Sequence, residues 1–270
     1  MSFNHFVQTI WSHSILKDLE TKCKLVDNCL REYEGDCKLA RTVKILGVGE
    51  PTVTNYDGTT PLTYEDMESK SQELVIDQGR AFHFRVDDID QAQSVPGLRE
   101  EYQRKASHKL AIARDTYIAN LIKGVTDNVT TATALTAEAV KEAIDAAIVE
   151  LRERDFDEEG VIEITPAVYN VFKNHLITLS TNNPEYIKKG IVGVYDGYDV
   201  IMTNTLAKDG THAYCDIRGK KAIAFAGQIN EVEALRDHDY FKDLIRGLDT
   251  FGAKVIDENR IQVIKVPLAG

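Results

Sequence analysis

Residues 95–124, VPGLREEYQRKASHKLAIARDTYIANLIKG, contain the pattern that decides the fold. Pro96 suits the first turn of a helix and Gly124 suits its end, so the stretch predicts one helix about 40 Å long. Apolar or small residues recur every three or four positions, at Leu98, Tyr102, Ala106, Leu110, Ala113, Tyr117 and Leu121. Another face is predicted to contact solvent, or else a neighbouring molecule, and it carries Arg99, Glu100, Arg104, Lys105, His108, Arg114 and Asp115.

Upstream of this helix the apolar period changes to two, which predicts β-strands. The apolar positions are Val43, Ile45, Leu74, Ile76, Phe82, Phe84 and Val86. Residues 49–71 are rich in Thr, Gly, Asp and Pro, with Asp57-Gly58 as a turn signal, so we expect a long hairpin with a polar tip. Two strands alone are marginally stable in water. The hairpin therefore either lies across another molecule or is a mobile surface loop.

The chain on either side of these elements predicts a mixed α and β protein. Residues 6–30 place apolar side chains among many charges, which predicts an amphipathic helix that forms an N-terminal arm. Downstream we expect a helix after Thr136, a strand at 161–164, a helix after Thr165-Pro166, and a hairpin turning at Asp196-Gly197. Three closing strands are predicted at 222–226, 252–256 and 261–266.

Composition excludes several classes of protein. The chain has 270 residues and a formal net charge of -11, which disfavours sequence-specific binding to nucleic acid. No apolar run approaches the length of a membrane helix and no signal peptide is present, so we expect a chain that stays in the cytoplasm. The cysteines lack metal-site spacing and are predicted to be reduced structural thiols: Cys23, Cys29, Cys37 and Cys215.

Motifs for catalysis or metal binding are weak. Asp87, Asp88 and Asp90 are clustered carboxylates, but they lack the glycine and glutamate of a calcium loop, so a strand-to-helix junction explains them better. Gly47-Val48-Gly49 lacks the Lys-Ser or Lys-Thr of a phosphate loop and predicts a turn. Lys70 is a candidate for crosslinking to a neighbour, with an ordinary exposed lysine as the alternative. We therefore expect no enzyme activity, no cofactor and no metal.

Four sets of short stretches resemble one known family when taken in order. They are YEGD (33–36) with TVKI (42–45), IDQ (76–78) with FRVDDID (84–90), GVYDGYDV (193–200) with TNTL (203–206), and VEALR (232–236) with RGL (246–248) and FGAKVI (251–256). Together with the order of arm, hairpin, long helix, mixed domain and closing strands, they look like the Hong Kong 97-type major capsid protein of tailed bacteriophages. This resemblance covers nearly the whole chain.

The resemblance implies an α+β capsid fold with four parts. Residues 1–39 correspond to the N-terminal arm and residues 40–80 to the extended β-hairpin loop. Residues 81–129 and 221–270 correspond to the peripheral domain with its long spine helix, and residues 130–220 to the axial domain. The orphan hairpin then lies over a neighbouring subunit, so its stability is linked to assembly.

The resemblance also implies function and partners. The chain is expected to assemble with itself into pentamers and hexamers of an icosahedral head that encloses double-stranded DNA without sequence-specific binding. The same resemblance implies a virion location, assembly in the host bacterial cytoplasm, a separate scaffolding protein, a portal and no membrane. The family's fused scaffold segment is not matched, so we expect an untrimmed N-terminus, and since no lysine–asparagine pair carries over, we expect no covalent crosslinks.

Candidate inter-subunit residues lie on the hairpin, the long helix and a polar loop at 181–189. They are Asp57, Gly58, Lys70, Arg99, Arg104, Pro184 and Lys188. Two other classes of function remain open from the sequence. One is an encapsulin-like nanocompartment shell that encloses an enzyme, and the other is a metal-dependent enzyme that uses Asp87, Asp88 and Asp90.

Overall fold

The structure is a computed structural model that describes residues 23–34, 41–48, 69–87, 98–156, 158–179, 193–238 and 240–268. Its helices are α1 (Leu98–Gly124), α2 (Ala137–Glu153) and α3 (Pro166–Leu179). Its strands are β1 (Thr42–Val48), β2 (Ser69–Val75), β3 (Gln78–Asp87), β4 (Val129–Thr131), β5 (Gly160–Ile164), β6 (Val194–Tyr195), β7 (Tyr198–Met202), β8 (His212–Gly219), β9 (Ile223–Arg236), β10 (Lys242–Val255) and β11 (Ile261–Pro267). The mixture of helices and sheets confirms the α+β class.

Helix α1 exists as predicted and is 27 residues long, but a different face of it is buried. The buried positions are Ser107, Leu110, Ala111, Arg114, Asp115, Ile118, Ala119 and Ile122. The prediction that Arg114 and Asp115 face solvent was therefore wrong. Tyr102, which was assigned to the apolar stripe, is exposed. Polar groups are buried on this face because distant residues supply their hydrogen-bond partners.

A mixed sheet of six strands, in the order β4-β11-β8-β5-β7-β6, forms the larger layer. Strand β5 lies inside the sheet and is buried along its whole length. Helix α2 packs against this sheet with its apolar side, and Thr136 caps its N-terminus with a side chain that accepts from the N–H of Ala139. The predicted hairpin is confirmed, since Asp196 and Gly197 have φ of 50° and 88° between β6 and β7.

A second sheet has the order β3-β10-β9, and both of its pairings are antiparallel. The register shifts between Leu248 and Asp249, which marks a β-bulge. Strands β9 and β10 each run for 14 residues, longer than the segments predicted at 222–226 and 252–256.

Strands β1 and β2 form the stem of the predicted hairpin, with Thr42 opposite Val75 and Val48 opposite Ser69. The predicted polar tip is shorter than expected at its C-terminal side because residues 69–71 already belong to β2. Residues 49–68 lie outside the described chain. Val43, Ile45 and Leu74 on one face of the stem pack against Ala224 and Ala226 of β9, and Gly252 of β10 passes close to the carbonyl of Val75.

Residues 23–30, here called the anchor segment, were predicted to end an amphipathic helix, and this prediction was wrong. They contain one short 3-10 helix, Val26–Asn28. Leu25, Val26 and Cys29 are buried in the main core, and Leu30 forms a parallel bridge to Ala224. The first part of the predicted helix, residues 6–22, lies outside the described chain.

Candidate functional site: buried ion pairs and uncovered surfaces

The first buried polar contact joins α1 to the three-stranded sheet. Arg114 donates from Nε to Oδ2 of Asp249 at 2.9 Å and from Nη2 to Oδ1 at 2.5 Å. Both side chains are buried, and the guanidinium lies 5.6 Å and 5.9 Å from the ring centres of Phe225 and Phe251. Removal of either charge leaves the other uncompensated in the core, so this pair fixes the position of α1 on β9 and β10.

The second contact is Asp115, which holds the anchor segment against α1. Its Oδ2 accepts from the backbone N–H of Lys24 at 3.0 Å, and its Oδ1 accepts from those of Leu25 and Val26 at 3.2 Å and 3.3 Å. The carboxyl group thus satisfies three N–H groups of the anchor segment. Burial raises the pKa of Asp115 to about 6, against the lowering effect of the same three N–H groups.

The third contact is centred on Arg218 of β8, which is fully buried. It donates to both carboxylate oxygens of Glu163 in β5, from Nη2 at 2.9 Å and from Nε at 3.2 Å. It also donates to two backbone carbonyls of the anchor segment, those of Leu25 at 2.8 Å and Asn28 at 2.7 Å. The Asn28 side chain donates back to Glu163 at 3.2 Å. The six-stranded sheet and α1 therefore hold the anchor segment from two sides.

The second sheet carries large apolar side chains that remain exposed in the described chain. Tyr240 and Phe241, at the turn between β9 and β10, are 65% and 79% exposed. Leu235 and Leu248 are exposed on β9 and β10. The adjacent exposed rings of Tyr240 and Phe241 are a candidate contact site with another protein.

Several solved structures have a similar fold. A structure from Mycobacterium phage Che8 is 26% identical, covers 90% of both chains and superposes with a TM-score of 0.74. The capsid structure of cyanophage P-SCSP1u is 15% identical and superposes with a TM-score of 0.67, and the match covers 86% of this chain and 84% of the cyanophage chain. The chain has the fold of a tailed-phage major capsid protein. A virus-like particle from Pyrococcus furiosus shares this capsid fold at 12% identity and a TM-score of 0.60. The match covers 98% of this chain and 100% of the particle's chain. No protein-family model and no curated protein matches the sequence.

Only three of the seven predicted inter-subunit residues lie in the described chain. Lys70 lies in β2 opposite Gly47, Arg99 lies in the first turn of α1, and Arg104 is exposed farther along α1. The remaining predicted residues lie outside the described chain: Asp57, Gly58, Pro184 and Lys188. Contact with another subunit stays a prediction for all of them.

The metal and thiol predictions fall on partly described residues. Asp87 ends β3, and Asp88 and Asp90 lie outside the described chain. No cluster of potential metal ligands occurs in the described ranges, and no helix there is long and apolar enough to cross a membrane. The prediction of reduced structural thiols agrees with three cysteines that are free and buried: Cys23, Cys29 and Cys215. Cys37 lies outside the described chain.

The sequence analysis did not predict the residues that form the buried polar contacts. Glu163, Asp216 and Arg218 lie in strands whose other residues are mostly apolar or small, and a charge inside such a run is a signal for a buried pair. For Arg114 and Asp115 the signal is spacing, since they continue the buried positions set by Leu110 and Ile118.

Proposed function

We propose that this chain is the repeating shell subunit of a tailed-phage head, with a structural rather than an enzymatic role. Copies of it assemble into pentamers and hexamers of an icosahedral shell that encloses double-stranded DNA. The observation that carries the proposal is the similarity to the Mycobacterium phage Che8 structure, which extends over 90% of both chains. A likeness of this extent covers the architecture of the whole subunit rather than one motif.

The four parts of the capsid subunit are assigned as follows. Residues 1–39 are the arm and residues 40–80 the extended loop. Residues 81–129 and 221–270 form the peripheral domain, and residues 130–220 form the axial domain. The second sheet with α1 supports the peripheral assignment, and the six-stranded sheet with α2 and α3 supports the axial one. Strand β11 pairs with β4 and β8, so the end of the chain is shared with the axial sheet.

Uncovered apolar surface supports assembly with further copies. The exposed aromatic pair at the β9–β10 turn lies at one end of the three-stranded sheet, with Leu248 and Leu235 farther along the two strands. Burial of such side chains contributes roughly 25 cal/mol for each Å² of apolar surface removed from water. In this proposal a neighbouring subunit covers them.

The predicted contact residues belong to three parts of the subunit that face neighbours. In the proposed shell, the hairpin crosses a neighbouring subunit, α1 contributes a charged contact face and the loop at 181–189 lies near the capsomer axis. The residues assigned to these contacts are Asp57, Gly58, Lys70, Arg99, Arg104, Pro184 and Lys188.

The proposed partners and location follow from this role. A separate scaffolding protein and a portal take part in assembly, and no membrane is involved. Assembly takes place in the host bacterial cytoplasm, and the product is the capsid of the virion. The net charge of -11 supports loose enclosure of DNA, because like charges on the wall and the phosphates repel each other.

Negative-stain microscopy of the purified, concentrated protein tests the proposal. The protein is imaged alone and then together with the scaffolding protein. Closed shells or rings of five and six subunits are expected in at least one of these two conditions. Separate monomers under both conditions, at every concentration tested, would contradict the assembly of a shell.

An encapsulin-like shell remains the second candidate, since the Pyrococcus furiosus virus-like particle matches 98% of this chain. Particles recovered from the native source separate the two functions by their contents. A phage head contains double-stranded DNA protected from nuclease, whereas a nanocompartment contains a cargo protein. Neighbouring terminase and portal genes favour the phage head.

A further inference from the structure

Two buried carboxyl groups face each other in the middle of the six-stranded sheet. Glu163 of β5 and Asp216 of β8 are direct partners in the antiparallel register, so their side chains lie on the same face of the sheet. Arg218 is two residues along β8 and shares that face. All three side chains are fully buried. Two negative groups thus compete for one positive group away from water.

The hydrogen bonds are divided unequally between the two carboxyl groups. Glu163 accepts from Arg218 and from Asn28, as described above. Asp216 lies 3.3 Å from Nε of Arg218 through its Oδ2, yet neither of its carboxyl oxygens has a hydrogen-bond partner in the described chain. An ionised carboxylate in that position is disfavoured, because burial removes its water and the guanidinium beside it already donates to Glu163.

We propose that Asp216 and Glu163 share one proton in the folded protein, and that this proton helps to hold the anchor segment in the core. The proton resides on Asp216, which donates it to Glu163. Arg218 then balances the single remaining negative charge and its other N–H groups bind the carbonyls of Leu25 and Asn28. Loss of the proton leaves two negative charges beside one guanidinium and weakens that attachment.

Other titratable groups surround this pair on each packed element. The anchor segment contributes Cys29 and Lys24, and α1 contributes Asp115 with Arg114 beside it. Strand β8 contributes Cys215, next to Asp216. Asp115, a third carboxyl group, adds negative charge near Glu163 and disfavours ionisation of the pair further.

The direction of the pH dependence follows from the pKa values. Burial raises the pKa of Asp216 well above its usual range, and the neighbouring charge of Glu163 raises it further. The folded chain therefore keeps this proton to higher pH than the unfolded chain does. Attachment of the anchor segment is complete at low pH and is weakened as pH rises through the folded pKa. Asp115 titrates near pH 6, so a change well above neutral pH is not due to it.

Infrared difference spectroscopy of the full chain detects the proton directly. At pH 8, ordinary carboxyl groups are ionised, so a buried acid shows a separate carbonyl stretch. The band is expected in the wild type and should be missing from Asp216→Asn, whose neutral amide can still donate to Glu163. Glu163→Gln should also lack the band, because Asp216 then ionises beside Arg218. The Glu163→Gln variant replaces Asp216→Asn in this experiment if Asp216→Asn does not fold. No band in the wild type at pH 8 would overturn the proposal.

Thiol labelling tests the effect on the anchor segment, with Cys37→Ser as the common background. Cys29 reports on the anchor segment, and Cys215 in β8 is the internal control for unfolding of the sheet. At each pH, the labelling rate of Cys29 in the wild type is divided by its rate in Asp216→Asn. The effect of thiol ionisation on the labelling rate is the same in both proteins and cancels from this ratio. This ratio is expected to rise above neutral pH by up to about tenfold per pH unit, without labelling of Cys215. A constant ratio across the pH at which the infrared band disappears, or equal labelling of Cys215, would overturn the link to the anchor segment.

Discussion

The buried pair of Arg114 and Asp249 gives the most direct test of the energetics of the subunit. Asp249→Ala removes both acceptors of the guanidinium and leaves a positive charge in a site where the Arg114 side chain is 6% exposed. Breaking a buried pair in this way costs about 3–5 kcal/mol of the free energy of unfolding. For a chain of this size the loss corresponds to a melting temperature lower by roughly 6–20 °C. Thermal unfolding of the unassembled subunit, followed by circular dichroism, measures it.

A matched control is present on the same strand. Asp243 of β10 also pairs with an arginine, at 3.0 Å from Arg236, but these side chains are 32% and 48% exposed. Asp243→Ala should therefore change the free energy of unfolding by less than about 1 kcal/mol. The double variant Arg114→Met with Asp249→Leu should recover most of the loss, since it leaves no unpaired charge. Equal losses in the two single variants would refute this reasoning.

Three further predictions concern the hairpin stem, the anchor segment and the outer surface. Gly252→Ala places a methyl group against the Val75 carbonyl and should cost about 1–3 kcal/mol in urea unfolding, while Gly79→Ala, with open space around it, should cost no more than about 1 kcal/mol; equal costs would contradict the clash. Raising pH from 4 to 7 should lower the stability of the wild type by about 2 kcal/mol relative to Asp115→Asn, because folding raises the pKa of Asp115 to about 6, and parallel curves for the two proteins would contradict this. Phe241→Ser should leave the stability of the monomer within about 0.5 kcal/mol and reduce shell formation in micrographs; normal shells would exclude Phe241 from the contact.

Local sequence patterns predict those elements whose signals are short in range. The length of α1, the stem between Thr42 and Val75, and the turn at Asp196-Gly197 all follow from periodicity or from residues that tolerate special backbone angles. The inward face of α1 is only partly given by such signals. The spacing from Leu110 and Ile118 places position 114 on the inward face. Burial of a charged side chain there depends on Asp249, which lies 135 residues away, and no local pattern reports that contact.

The anchor segment shows the same limit. Its alternating charged and apolar residues are compatible with an amphipathic helix when they are considered alone. In the structure, the carboxyl group of Asp115 and the guanidinium of Arg218 supply the hydrogen bonds that a helix would have supplied internally. A side chain about 90 residues away therefore decides the local conformation at Leu25.

The anchor segment and the hairpin stem are attached at the same place on β9. Leu30, at the end of the anchor segment, bridges Ala224, and the apolar face of the hairpin stem packs on Ala224 and Ala226. Both alanines are fully buried, and a larger side chain at either position would separate the stem from the body. In the proposed shell, a pull on the hairpin by a neighbouring copy is therefore transmitted to β9 and to the anchor segment together. The anchor segment is also held by buried charges, since Asp115 binds its N–H groups and Arg218 binds its carbonyls, so removal of either charge should loosen the anchor segment from the body of the subunit.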